Sequence, residues 1–267
     1  MLRITDVVKH LLIINVVVFL IGEFHLVNTD MLALRFPASS EFRPYQIVSH
    51  FFMHGGFMHL FFNMFALVMF GSALETLWGP KKFLYFYFVC AFGAALLHMG
   101  YSWWDISHSQ ALIDQFRANP NIDTFWGFFN QFPMSGFTEE GKGIINQMAG
   151  AMRNPADDTV RGVLEQMNAL LQNKMDVPIV GASGAIYGLL LAFGMYFPNA
   201  ELMLIFLPIP IKAKYFIPVL MIIELYLGVN QFSWDNIAHF AHLGGALTGF
   251  LLILYWRKFG SRFDNLG

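Results

Sequence analysis

Charge is what this chain has least of. Only 13% of its 267 residues are Asp, Glu, Lys or Arg, against 56% hydrophobic, and the mean hydropathy is +0.52. Domains that fold in water carry about 25% charged residues, so these figures argue against a soluble globule and make the bilayer the working solvent. Cysteine is almost absent. Cys90 alone can close neither an intrachain disulfide nor a CxxC metal site, so stability has to come from packing. There is no basic run, and the formal charge is −2, which leaves no electrostatic footprint for nucleic acid. Convincing internal repeats and low-complexity tracts are lacking as well.

What the chain has instead is long apolar runs. A transmembrane helix needs about 20 mostly apolar residues to cross a hydrocarbon layer of roughly 30 Å. Six stretches answer to that: Val7–Val27, Phe57–Leu77, Phe83–Tyr101, Val180–Phe197, Tyr215–Val229 and Asn236–Trp256. The fifth is short unless it extends back through the Pro-rich turn before it. Arg3 and Lys9 ahead of the first run resemble a secretory signal, but no small-x-small cleavage site follows before Glu23, so the segment reads as a retained helix. With six crossings, Arg3, Lys9, Lys81, Lys82, Lys212, Lys214, Arg257, Lys258 and Arg262 all fall on one side. The positive-inside rule then makes both termini cytoplasmic. The expected location is the inner (cytoplasmic) membrane of a bacterium, as an integral multi-pass protein.

Residues 102–178 break this composition, with nine of the chain's eighteen acidic residues. They are expected to form an extracytoplasmic insertion between the third and fourth spans, leaving 1–101 and 179–267 as the membrane domain. Asp157–Gln172 reads as an amphipathic helix, with Val160, Val163, Leu164, Met167, Leu170 and Leu171 at helical spacing. Phe125, Trp126, Phe128, Phe129 and Phe132 cluster before it. Either a small packed subdomain or a segment lying in the outer headgroup layer fits this pattern.

Polar side chains inside lipid are expensive and are therefore clues to function, weighed against simple interhelical hydrogen bonding. Three constellations stand out. In HFFMHGGFMHLFFN, His59 and Asn63 are four apart and share a helix face, with His50 and His54 just before. In VGASGAIYG, Gly181, Gly184, Ala185 and Gly188 surround Ser183, a hydroxyl placed about one and a half turns below a helix start at Pro178, with Tyr187 one turn on. In HFAHLGGALTG, His239 and His242 are three apart, and Ala241, Gly245 and Gly249 form a smooth stripe beside His242. If the two smooth faces meet, Ser183 and His242 become nucleophile and base, because a serine hydroxyl attacks only when an imidazole takes its proton. The oxyanion so formed needs fixed donors, which His59, Asn63 and the Ser183 amide can supply.

Rival readings attach to the same residues. His50/His54 and His239/His242 have workable metal-ligand spacings, but HExxH and a thiolate set are missing, and no metal or other cofactor is expected. A GASG segment alone is most often a packing motif. A solute transporter would use the same polar residues as its pathway. Glu75 and Glu224 read as satisfying neighbouring donors rather than doing chemistry.

GASG around Ser183, HGGFMHLFFN ending at Asn63, AHLGGALTG containing His242, and Gly71 with Glu75 together resemble the rhomboid family of intramembrane serine proteases. The resemblance implies an all-α, six-helix membrane bundle whose short fourth helix starts at the floor of a water-filled cavity open to the outer face. It implies a Ser183–His242 dyad without an aspartate, oxyanion donors from His59, Asn63 and the Ser183 amide, and Tyr187 packed on the histidine ring. His54 takes a structural position bonding within the first loop region, and Gly245 and Gly249 are packing contacts. The partners are transmembrane protein substrates and the lipid bilayer, and the oligomeric state is not readable. A catalytically silent relative that merely binds transmembrane helices is the alternative. Two departures stand out. Pro44, Tyr45 and Gln46 occupy the neighbourhood of the family's Trp-Arg pair, and the connection usually short between the third and fourth helices is the long 102–178 segment.

Overall fold

A computed structural model describes residues 3–132, 134–204, 207–230, 232, 235 and 237–259. In chain order the helices are α1 (Asp6–Glu23), α2 (Gln46–Ser49), α3 (Phe57–Ala66), α4 (Ser72–Trp78), α5 (Pro80–Ala118), α6 (Ile122–Phe129), α7 (Glu139–Ala151) and α8 (Asp157–Asp176). They are followed by α9 (Ser183–Tyr196), strands β1 (Glu201–Leu204) and β2 (Leu207–Lys212), α10 (Ala213–Asn230) and α11 (His239–Phe259). A π-helical stretch, Leu67–Gly71, joins α3 and α4 into one rod. The described residues are thus mostly helical, and the antiparallel pair β1–β2 corrects the all-α expectation. Pro208 and Pro210 alternate through β2. Each disfavours helical geometry in the residue before it, so the Pro-rich segment is extended and the fifth helix begins only at Ala213.

Four helical stretches, Phe57–Trp78, Pro80–Ala118, Ala213–Asn230 and His239–Phe259, are long and apolar enough to cross a membrane by length and composition. α9 is apolar but has 14 residues, and α1 holds Asp6, Lys9 and Glu23 within its 18. The outward faces are lipid-like. Leu96, Ile222, Val229 and Leu251 are each more than half exposed, a distribution that water would penalise. Arg262 and Asn236, used in the charge and span assignments, lie outside the described residues.

The central core joins α1, α3, α4, α5, α9 and α11 through Leu11, Leu60, Leu74, Phe86, Leu189 and Ile253. Glu75 of α4 fixes the start of α1. Its Oε2 accepts from Thr5 Oγ1 and from the Val8 N–H at 3.0 Å, and its Oε1 accepts from the Val7 N–H at 3.0 Å. A buried carboxylate therefore satisfies amides that a helix start leaves without partners.

The third predicted span does not end at Tyr101. α5 continues to Ala118, 39 residues in all, which at 1.5 Å per residue is about 58 Å, roughly twice the hydrocarbon thickness. Its distal part, with α6, α7 and α8, encloses a second core in which Ile113, Phe116, Phe125, Phe128, Val163 and Met167 are buried. Of the two arrangements open from sequence, residues 102–178 thus adopt the packed one. This unit is tied back to the first loop. Ser39 Oγ donates to Asp176 Oδ1 at 2.5 Å, Arg35 donates to the Asp176 carbonyl, and Leu34 bridges Ile179.

Candidate active site

The loop between α1 and α3 is organised by Gln46, one of the residues standing where the family has Trp-Arg. Its side-chain oxygen accepts from the N–H groups of Arg35 and Arg43, and its amide donates to the carbonyls of Met31 and Glu41. The next turn carries His50, whose Nδ1 lies 2.6 Å from the Gln46 carbonyl and whose own carbonyl accepts from Gly181 N–H at 3.0 Å. The first loop thus holds the chain entering α9. His54 is buried edge-on against His59 at 5.2 Å, and its ring approaches the Phe52 carbonyl of the first loop region without a regular hydrogen bond. Burial lowers both His50 and His54 from the usual histidine value to about 4.

α9 starts at Ser183 itself, not five residues earlier. Ile179 pairs with Leu34 in an extended bridge, and Gly181 has φ 120°, a left-handed geometry that favours glycine. The residues from Ile179 to Gly181 therefore are not helix, and Ser183 falls in the first turn. The amides of a first turn have no intrahelical partner, so the hydroxyl sits at the positive end of the helix rather than buried along its length.

The α9 and α11 backbones touch. A Cβ on Gly245 would stand 1.8 Å from the Gly184 carbonyl oxygen, one on Gly249 would stand 3.3 Å from the Gly188 Cα, and one on Gly184 would stand 2.3 Å from Ala94 Cβ of α5. At this separation His242 Nε2 lies 2.9 Å from Ser183 Oγ. The Tyr187 ring is stacked on the His242 ring, with centroids 4.1 Å apart and planes 8° from parallel.

On α3, His59 Nδ1 accepts from the Gly55 N–H at 3.3 Å, which leaves its Nε2 as the N–H donor. That edge lies beside Gly181, close to Ser183 Oγ, since a Cβ on Gly181 would be 3.0 Å from His59 Nε2 and 3.4 Å from the hydroxyl oxygen. Asn63 Nδ2 instead donates to the His59 carbonyl at 2.9 Å, so its amide is held by its own helix. His59, Phe62, Asn63, Ser183, Tyr187 and His242 all line one cavity of about 970 Å³, which Phe216 and Leu220 of α10 line as well.

Glu224 of α10 has the neighbouring donors expected of it. Its Oε2 is 3.0 Å from His242 Nδ1 and 2.6 Å from His239 Nδ1, and Tyr187 OH donates to its Oε1. His239 Nε2 in turn lies 2.9 Å from Asp235 Oδ2. The available signal was an acidic residue inside a predicted span, costly in lipid unless it has partners. Glu224, His239 and His242 bring donor atoms within 4.8 Å of one another and are geometrically able to hold a cation. A cation on His242 Nδ1 would force the ring proton onto Nε2, leaving that nitrogen no lone pair toward Ser183.

Comparison with known proteins gives the family. A family model described as Rhomboid domain matches residues 41–104 and 159–259. Rhomboid protein 1, mitochondrial, of Saccharomyces cerevisiae is 33% identical over 81 residues, 30% of this chain and 23% of the yeast protein. Rhomboid-like protein 15 of Arabidopsis thaliana is 38% identical over 60 residues, 22% of this chain and 15% of its own length. Rhomboid-like protease 3 of Toxoplasma gondii is 35% identical over 71 residues, 27% of each chain. These matches span at most 27% of the relatives' length. The domain match covers more than half of the sequence and both elements that carry the Ser183–His242 pair, and the chain belongs to the rhomboid family.

Proposed function

We propose that this protein is an intramembrane serine endopeptidase that cleaves transmembrane or juxtamembrane segments of other membrane proteins. The observation that carries the reading is the 2.9 Å contact between His242 Nε2 and Ser183 Oγ at the wall of the cavity. Ser183 Oγ attacks the scissile carbonyl carbon while His242 Nε2 takes the hydroxyl proton. The oxyanion receives the His59 Nε2–H and the Ser183 amide, and the Asn63 amide joins once it leaves the His59 carbonyl. Collapse breaks the C–N bond, and the departing amine takes the proton from His242. Water then hydrolyses the Ser183 ester, with His242 again as base. Substrate helices are those with small or helix-breaking residues, because a helix in lipid has every carbonyl bonded and must unwind to present one.

In this reading the chain crosses the inner membrane of a bacterium six times, with α1 and α9 as the spans that fall short of the length and composition measure. Both termini are cytoplasmic. Residues 102–178 stand on the outer side beside the cavity mouth and guide substrate entry. Trp103 and Trp104, both exposed, mark the headgroup level on α5.

A fluorophosphonate probe tests the proposal on the purified full chain. Wild type labels covalently, and Ser183→Ala and His242→Ala do not. A catalytically silent helix-binding scaffold gives no labelling of wild type, and equal labelling of wild type and Ser183→Ala refutes the assignment of the nucleophile.

A further inference from the structure

The dyad does not stand alone. His242 Nδ1 faces Glu224 Oε2 at 3.0 Å while its Nε2 faces Ser183 Oγ at 2.9 Å. A carboxylate only accepts hydrogen bonds, so the ring proton must lie on Nδ1, and the lone pair on Nε2 then points at the serine hydroxyl. Resting on the protease reading, we infer that Glu224 completes a Ser183–His242–Glu224 triad as the positioning residue that holds the base in its working tautomer.

Its surroundings fit the task. Glu224, His239 and His242 are all buried, none more than 8% exposed. The groups facing Glu224 are Tyr187 OH from α9 and His239 and His242 from α11, and Asp235 stands on the far side of His239. The Glu224 carboxylate places a negative charge beside His242. That charge is neutralised when His242 accepts the serine proton, so the cluster is arranged to favour the state formed during attack. Tyr187 gains a second role: besides stacking on His242, its hydroxyl occupies Glu224 Oε1 and directs Oε2 at the imidazole.

An interhelical glue residue predicts lost stability and unchanged turnover per folded molecule. A positioning residue predicts the reverse. Glu224→Gln keeps shape and volume, but its amide can donate to Nδ1 and stabilise the wrong tautomer. We expect kcat for a single-span substrate and the rate of fluorophosphonate labelling to fall about 100-fold or more, with KM within about threefold and the melting temperature little changed. Glu224→Asp, which restores a carboxylate, should recover rates to within about tenfold of wild type. Nitrogen NMR of ¹⁵N-histidine-labelled wild type in micelles should show His242 protonated at Nδ1 and bare at Nε2, with that pattern lost in Glu224→Gln.

Glu224→Gln with wild-type kcat, or wild type carrying the His242 proton on Nε2, overturns the inference. If Glu224→Gln does not fold, the wild-type spectrum still decides. A wild-type protein that neither labels nor cleaves would sink the protease reading, and the tautomer measurement would then judge the Glu224 contact independently.

Discussion

Replacing Gly245 with alanine adds one carbon where there is no room for it. The new Cβ would lie 1.8 Å from the Gly184 carbonyl oxygen and 2.6 Å from its carbon, whereas ordinary contact starts at 3.4 Å. Both obstructing atoms are backbone, so no side chain can swing away and α9 and α11 must separate by about 1.5 Å, a strain typical of overpacked cores that costs about 1–3 kcal/mol. Gly184 follows Ser183 directly, and Gly245 lies one turn beyond His242 on the same stripe. The separation therefore passes into the Ser183–His242 contact, stretching 2.9 Å to roughly 4 Å, beyond hydrogen-bond range. Misplacing catalytic groups by about 1 Å costs on the order of 100-fold in rate. Gly245→Ala should therefore lose about that factor in fluorophosphonate labelling and in cleavage, measured on folded, monodisperse protein in micelles. Gly100→Ala on α5, where nothing lies within 4 Å of the added carbon, is the control and should leave both rates unchanged. Labelling of Gly245→Ala at the wild-type rate would refute the claim that backbone contact sets the dyad distance.

Three further outcomes are expected. Glu75→Ala strands two amides and a hydroxyl at the start of α1 and should cost about 2–4 kcal/mol. The drop should appear as a lower melting temperature and faster exchange of the Val7 and Val8 amides; an unchanged melt would contradict the capping role. Burial holds His50 and His54 near 4 in the folded state, below the value of about 6.5 in an unfolded chain. The unfolded state therefore binds more protons as pH falls below 6.5, and stability declines through that range down to about 4. By pH 5 the loss is on the order of 1–2 kcal/mol for each histidine. Melts between pH 7.5 and 5 should show it, less steeply in His50→Phe, and equal slopes in variant and wild type would exclude His50 as a source. Asp176→Ala removes the acceptor of Ser39 and loosens residues 102–178 from the first loop. It should leave fluorophosphonate labelling intact while changing which single-span substrates are cut; an unchanged substrate panel would remove the guiding role.

Composition and periodicity carried the membrane setting, because lipid demands long apolar runs and tolerates few charges, and both are countable in one dimension. The runs that became α3 with α4, α5, α10 and α11 were legible for that reason, as was the second apolar pattern in α8 that asked for a packing partner. Glycine spacing announced that α9 and another helix would press together, since only small residues permit it. Tertiary structure decided what depends on distances between separate helices. Ser183 opens α9 because the Leu34–Ile179 bridge and the backbone at Gly181 consume the residues expected as the helix start. α5 runs on to Ala118 because a second core gives its polar half a partner, which no local signal at Tyr101 reveals. Glu224 read as satisfying neighbouring donors, but the span that carries it does not say which. It meets Tyr187, His239 and His242 only when α9, α10 and α11 converge, because the contact joins residues up to 37 positions apart whose approach is set by packing.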